Sequence, residues 1–233
     1  MSRAPRIPGD TLAPASGERD GAAGRPGDGD GGPVVGVLAV QGDVLEHVRM
    51  LRAAGARPVP VRRPEELEDL DGILLPGGES TTIGKLCAMY GLLEPLRVRV
   101  AGGLPAFGTC AGAILLSSRA LLHDGRQSDQ PLLGVIDATA RRNAFGRQIA
   151  SFETDLDVAG LTGGPVHAVF IRAPWFEDVG PDAEVLAEAE TPLGARVVVV
   201  RQGQVLASAF HPELTADGRL HAAFVDMVRA PRR

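Results

Sequence analysis

The sequence predicts an α/β fold: a three-layer sandwich with a mostly parallel central sheet and helices on both faces. Three observations point to it. Short apolar runs such as Val34, Val35, Val37, Leu38 and Val40 suit strands buried on both faces. Segments with helical spacing alternate with those runs, and the connections between them are short and rich in glycine.

Taken in order, the first strand begins after Pro33, and Asp43 is placed to cap a helix carrying Val44, Leu45, Val48 and Leu51 at helical spacing, with Gly55 as its stop. A second strand is expected over Pro58 to Val61. Ile73 to Leu75 forms a third, ending in Pro76, Gly77 and Gly78, after which Ser80 to Tyr90 reads as a helix stopped by Gly91. Pro105 to Phe107 is a short strand running almost directly into a helix at Ala111 to Ser117. The second half is richer in strands: Leu133 to Ala140, Phe152 to Leu156, Val166 to Ile171, Glu184 to Ala187, Ala195 to Val200 and Gln204 to Phe210. Some of these suit antiparallel hairpins at the sheet edge, with Arg201, Gln202 and Gly203 as a tight turn, and Arg219 to Val228 closes the domain as a helix. The folded domain is thus expected over residues 34–229, with 230–233 as a tail. Residues 1–33 are rich in glycine and proline without an apolar period, and read as a disordered extension or as the product of a misassigned start.

Composition narrows the function. A chain of 233 residues with 44% hydrophobic content supports one sizeable core. The net charge of -5 is a poor match to a nucleic-acid groove, which needs excess Lys and Arg. No run reaches the ~18 to 20 apolar residues of a membrane helix, and no secretory signal is evident, so a cytoplasmic location is expected. Cys87 and Cys110 are too few for a disulfide scaffold, and free thiols are the simpler reading.

Gly108-Thr109-Cys110-Ala111-Gly112 sets a nucleophile between two glycines where a strand turns into a helix, the geometry of a nucleophile elbow with sulfur in place of oxygen. The N–H of Ala111 would then face an oxyanion on the substrate. A free thiol of pKa ~8.5 is only a few per cent ionised at pH 7, and full ionisation there costs ~2 kcal/mol. A helix N-terminus supplies ~0.3 to 1 kcal/mol when exposed and up to ~2 when partly buried, and an imidazolium can supply the rest. His211 is the candidate. In Phe210-His211-Pro212-Glu213 an extended backbone would point His211 and Glu213 the same way, so that Glu213 orients the imidazole and His211 takes the thiol proton. Pro76-Gly77-Gly78-Glu79-Ser80 is a glycine turn able to present a second N–H, from Gly78, although such turns also serve chain reversal or phosphate binding; no Gly-Lys-Ser/Thr follows it.

Each residue also has a plainer reading. Cys110 alone is a small core hydrophobe; the flanking glycines favour catalysis. Cys87, inside a helix beside Leu86, is core. His47 follows Glu46 on a helix and reads as a surface or interface residue, while His123, His167 and His221 read as loop or helix-face residues. No cluster has metal-ligand spacing, so neither a metal nor a cofactor is expected. Arg142 and Arg172 each end a predicted strand, where a guanidinium can hold a carboxylate, although solvated surface arginines are commoner.

Together, Pro76 to Ser80, Gly108 to Gly112 and His211 to Glu213 resemble the class I glutamine amidotransferases. Longer words narrow the resemblance: Leu75-Pro76-Gly77-Gly78-Glu79-Ser80-Thr81-Thr82, Phe107 to Gly112, Arg142-Asn143, Phe145-Gly146-Arg147-Gln148, Phe170-Ile171-Arg172-Ala173-Pro174 and Phe210 to Thr215 are similar to the glutaminase subunits of pyridoxal 5'-phosphate synthases. The resemblance spans roughly residues 34 to 229, and Gln41-Gly42 with Glu46-His47 fits it too. It implies a triad of Cys110, His211 and Glu213, a glutamine site lined by Gly78, Glu79, Ser80, Arg142, Ile171 and Arg172, an oxyanion hole from Gly78 and Ala111, and ammonia delivery to a synthase subunit in an assembly of twelve of each. Two features depart from the family pattern, the extension over 1–33 and Ala144 where a serine is expected.

The expected chemistry is hydrolysis of L-glutamine through a thioester on Cys110, with the ammonia acceptor on another chain because no length remains for a second catalytic domain. Two rivals stay open. A glutaminase of another biosynthetic pathway fits the Gly78 to Thr82 and Phe170 to Pro174 words less well. A non-catalytic regulator that keeps the fold only to bind the synthase fits an intact triad less well.

Overall fold

The computed structural model describes residues 31–145, 151–192 and 194–231; positions 1–30 of the expected extension and 232–233 of the tail lie outside them. In chain order the elements are β1 (Val34–Leu38), α1 (Val44–Ala53), β2 (Arg57–Val61), β3 (Gly72–Leu75), α2 (Ser80–Met89), α3 (Leu93–Ala101), β4 (Ala106–Thr109), α4 (Ala111–Leu116), β5 (Ser117–Leu121), β6 (Ile136–Arg141), β7 (Ser151–Leu156), β8 (Val166–Ile171), β9 (Trp175–Glu177), β10 (Glu184–Ala189), β11 (Arg196–Gln202), β12 (Val205–Ser208) and α5 (Arg219–Arg229). Short 3-10 turns occupy Pro64–Leu67 and Pro212–Leu214.

Ten strands form one sheet in the order β2-β1-β3-β4-β12-β11-β9-β6-β5, with β10 on β11, while β7 and β8 form a separate antiparallel pair. From β2 through β12 every pairing is parallel. The residues of β1, β3 and β4 are buried throughout, which is why their sequences read as continuous apolar runs rather than alternating ones. Pro58 and Pro60 fall in β2, the edge strand, where missing N–H donors do not break a ladder on the open side.

The chain leaves β1 in one direction to reach β2 and crosses in the other to extend the sheet through β3 and β4. Right-handed crossovers therefore put α1 and α2 on opposite faces. Packing agrees: α1 lies against α5, and α2 against α3 and α4. The reversal of strand order falls between β1 and β3, the crevice where open α/β sheets bind ligands at their strand C-termini.

Three elements differ from expectation. Helix α3 interrupts a stretch left unassigned, and the short strands β5 and β9 carry the sheet beyond β11. Asp43 precedes α1 but makes no side-chain cap bond there. Leu45, placed on the apolar face of α1, is 64% exposed, and its place in the buried stripe is taken by His47.

Candidate active site

The C-terminal ends of four adjacent parallel strands, β1, β3, β4 and β12, supply the site. β4 pairs with β12 so that Thr109 faces Ser208, which brings the residue after β4, Cys110, beside the chain leading to His211. The Cys110 N–H donates to the carbonyl of Ser208 at 2.8 Å, and the His211 N–H to that of Val169 at 2.9 Å. Phe210, fully buried, packs on Phe170, and Phe170 stacks on Phe152, so an aromatic cluster fixes the backbone just ahead of His211.

Cys110 sits at φ 46°, ψ -101°, a left-handed conformation that a non-glycine residue adopts only when its surroundings impose it. Both flanking glycines are sterically required. A Cβ on Gly108 would lie 2.6 Å from the Gly112 carbonyl carbon, and one on Gly112 would lie 2.0 Å from the Leu75 carbonyl oxygen. The elbow is thus held tightly against the end of β3. Helix α4 behind it has six residues, so its dipole gives the thiol only modest help and the imidazole matters more.

Cys110 and His211 face one cavity, and His211 Nδ1 lies 2.7 Å from Glu213 Oε1. All three residues are buried. The expected extended link between His211 and Glu213 is replaced by the 3-10 turn over Pro212–Leu214, which still brings the carboxylate to the ring. Burial opposes a charge on His211, but hydrogen bonds to Cys110 and Glu213 outweigh it and raise its pKa to about 10. An imidazolium so stabilised is the partner a thiolate needs.

The glycine turn after β3 lies against this imidazole: a Cβ on Gly77 would be 2.5 Å from His211 Cε1. The Gly77 carbonyl accepts from the Asp43 N–H at 3.4 Å, and because the peptide is trans the Gly78 N–H points the opposite way, away from the β1–α1 loop. Gly78 itself has φ +146°, and a Cβ there would meet the Gln41 side chain.

A cavity of about 380 Å³ opens onto Cys110 and His211, and Gly78, Glu79, Ser80, Arg142, Ile171 and Arg172 all line it. The sequence-based set therefore converges on one space. Its members are already partly engaged: Glu79 caps α2 through the N–H groups of Thr81 and Thr82 and pairs with Arg142 at 2.9 Å. Slight burial opposes its charge, but the bonds from Thr82 and Thr81 prevail and lower its pKa to about 2. The Ser80 hydroxyl donates to Gln130 Oε1. Ile114, Asn143 and Leu214, with Gln41 and Asp43, complete the lining. Of these Asn143, beside Arg142, Gln41 and Leu214 stood in words that the sequence marked out. The last three residues of the Phe145 to Gln148 word lie outside the described residues.

Asp43 Oδ2 is 3.7 Å from His211 Nδ1, and Asp43, His211 and Glu213 group their ligand atoms within 4.8 Å. That grouping differs from the expectation that no such cluster exists. The 2.7 Å contact of Nδ1 with Glu213 is nevertheless a hydrogen bond that needs a proton on that nitrogen, which is the orienting role of a triad carboxylate.

The histidines are the larger correction. His47 and His221, read as surface, interface or helix-face residues, are both 0% exposed and stand behind Glu213. His167 does lie at the surface, between Asp155 and Glu153. Ala144, the departure from the expected serine, is buried and donates its backbone N–H to the Ala173 carbonyl, a bond that needs no side chain.

Residues 37–230 match the SNO glutamine amidotransferase family. The chain belongs to that family. Among its relatives, the pyridoxal 5'-phosphate synthase subunit PdxT of Acidothermus cellulolyticus is 59% identical over 202 residues, covering 86% of this chain and 96% of the relative. The PdxT subunit of Nocardia farcinica is 61% identical over 199 residues, covering 85% and 87%. A solved glutamine amidotransferase superposes with a TM-score of 0.76 at 51% identity, covering 84% of this chain and 99% of that one. A protein of Thermoplasma acidophilum described as a GMP synthase subunit shares the fold alone, at 19% identity and a TM-score of 0.59. For a glutamine amidotransferase of this family the mixed sheet and the Cys110 elbow are the expected frame. Among the described residues, no helix is long and apolar enough to cross a membrane.

Proposed function

We propose that this chain is the glutaminase subunit of a pyridoxal 5'-phosphate synthase, with Cys110, His211 and Glu213 as its catalytic triad in a domain over residues 34–229. The observation that carries the reading is Cys110 and His211 facing one cavity on the strand C-termini, with Glu213 bonded behind His211 at 2.7 Å. His211 takes the thiol proton, and the Cys110 sulfur attacks the side-chain amide carbon of glutamine, giving an oxyanion that the N–H groups of Gly78 and Ala111 stabilise. Collapse breaks the C–N bond as His211 returns its proton to the leaving nitrogen, leaving a thioester and ammonia. Water, deprotonated by His211, then attacks the thioester carbon and releases glutamate and the thiol.

The cavity's charges suit an amino acid. Arg142 spends one nitrogen on Glu79 and keeps further donors, and with Arg172 it can receive an α-carboxylate, while Glu79 can receive the α-ammonium; Ser80 and Ile171 border the same space. Ammonia passes to a separate synthase subunit, in an assembly of twelve of each chain, and the work is cytoplasmic. The identity of the pathway rests on the PdxT relatives at about 60% identity, which disfavour a glutaminase of another route. The test is glutamate release and ammonia transfer with and without a purified synthase subunit. Turnover that needs the synthase and vanishes in Cys110→Ala is the expected result; unchanged turnover in Cys110→Ala overturns the mechanism, and absence of association overturns the pathway.

A further inference from the structure

Two imidazoles that the chemistry above leaves unused lie directly behind Glu213. His47 comes from α1 and His221 from α5, and neither has any solvent exposure. His47 Nδ1 is 2.9 Å from His221 Nε2. On its other side, His47 Nε2 is 3.1 Å from Thr109 Oγ1, in the residue preceding the nucleophile, and 3.5 Å from Glu213 Oε2. The remaining ring nitrogen, His221 Nδ1, is buried without a partner among the described residues.

Those contacts decide where the protons sit. Burial holds both rings neutral: it drives His47 well below its ordinary value, any charge on His221 or His211 acting in the same direction, and takes His221 down to about 4. Each ring then carries one N–H and one lone pair. If His47 held its proton on Nδ1, its Nε2 lone pair would face the Glu213 carboxylate, and His221 would be left with a buried N–H that has no acceptor. With both protons on Nε2, His221 donates to His47 Nδ1 and His47 donates into the space between Thr109 Oγ1 and Glu213 Oε2. Only a lone pair on His221 Nδ1 then goes unmatched. The second arrangement avoids both penalties.

Glu213 needs such a partner. Its Oε1 is held by His211, but Oε2 is buried and has no hydrogen-bond partner among the described residues. A carboxylate fixed at one oxygen keeps a broad terminal torsion, and the imidazole it orients inherits that freedom. We propose that His47, with its tautomer set by His221, is a positioning residue for Glu213, offering an Nε2–H to the second carboxylate oxygen and so fixing the plane in which His211 is held. The role rests on the glutaminase reading. It extends the series inward as His221, His47, Glu213, His211, Cys110, so that α1 and α5 on one face of the sheet steady a group acting at its edge.

The test combines a spectroscopic and a kinetic readout on the full chain with its synthase. In ¹⁵N-histidine NMR, His47 and His221 are both expected as Nε2–H tautomers from pH 6 to 9; a proton on His47 Nδ1 overturns the proposal. His47→Leu is expected to lower kcat about ten- to a hundredfold, the loss of one hydrogen bond to a charged group. KM for glutamine should stay within about twofold. His47→Gln, whose amide nitrogen restores a donor, is expected to recover most of that loss. A folded His47→Leu with the kcat of the unaltered chain overturns the positioning role alone, whereas an unaltered chain that releases no glutamate overturns the glutaminase reading. If His47→Leu does not fold, His221→Leu decides: it should redistribute the His47 tautomer and lower kcat, and failure to do either overturns the proposal.

Discussion

Gly77→Ala isolates how closely the glycine turn is set against the His211 imidazole. Gly77 is not among the left-handed glycines, so alanine imposes no backbone penalty there. The added Cβ, however, would lie 2.5 Å from His211 Cε1 and 2.9 Å from Nδ1, where ordinary contact begins at 3.4 Å. Relief requires the ring or the turn to move by about 1 Å, and the ring is held by its 2.7 Å bond to Glu213. A misplacement of about 1 Å in a reacting group costs about a hundredfold in rate. The expected result is therefore a kcat about a hundredfold lower, read as glutamate release at saturating glutamine with the synthase present. The thermal midpoint should fall by a few degrees, since forcing a methyl group into filled space costs about 1 to 3 kcal/mol. A Gly77→Ala chain with unaltered kcat would show that the turn does not touch the working form of His211, and the site geometry described above would be wrong.

Other perturbations separate strain, charge and binding. Cys110→Gly abolishes glutamate release and, by relieving a left-handed non-glycine residue, should stabilise the fold by about 1 kcal/mol in urea titration. The lowered pKa of His221, from 6.5 to about 4, means that its contribution to stability is complete above pH 6.5 and is lost as pH falls through 4, by about 3 kcal/mol; unfolding at pH 7 and pH 4.5 should show the loss, and His221→Leu should reduce it. His211 acts in the opposite sense. Its pKa is raised to about 10, so its contribution is complete below pH 6.5 and fades as pH rises through 10, a loss that Cys110→Ala should diminish. Glu79→Ala removes a helix cap worth about 1 kcal/mol and the partner of Arg142, and should raise KM for glutamine about tenfold while leaving the thiol reactive towards iodoacetamide.

The half of the fold that positions the chemistry was legible because parallel strands buried on both faces must be apolar throughout, as in Val34 to Leu38 and Ile73 to Leu75. Elements outside that constraint were harder to read. β5 is Ser117-Ser118-Arg119-Ala120-Leu121, half exposed and running straight out of α4, and β9 has three residues; neither leaves a periodic trace. α3 carries Pro95 near its start, a residue tolerated in a first turn but easily taken for a break. The His211 and Glu213 pairing was read from a two-residue period that the backbone does not keep, and the contact survives because the 3-10 turn happens to restore it.

The two inner histidines show where hydrophobic periodicity misleads. Positions 44, 47, 48 and 51 of α1, and 220, 221, 224 and 225 of α5, form continuous stripes packed on the core only when His47 and His221 count as interior residues. Counting histidine as polar removed it from the stripe and promoted Leu45, which in fact faces outward at 64% exposure. A neutral imidazole in an apolar stripe costs desolvation that leucine would not, unless its nitrogens find partners. When two such residues on different helices complete their stripes together, they satisfy each other, and any nitrogen left over faces the next polar group inward. Here that group is Glu213, so the signal that looked like an imperfect helix face marks the two side chains packed behind the His211 and Glu213 pair.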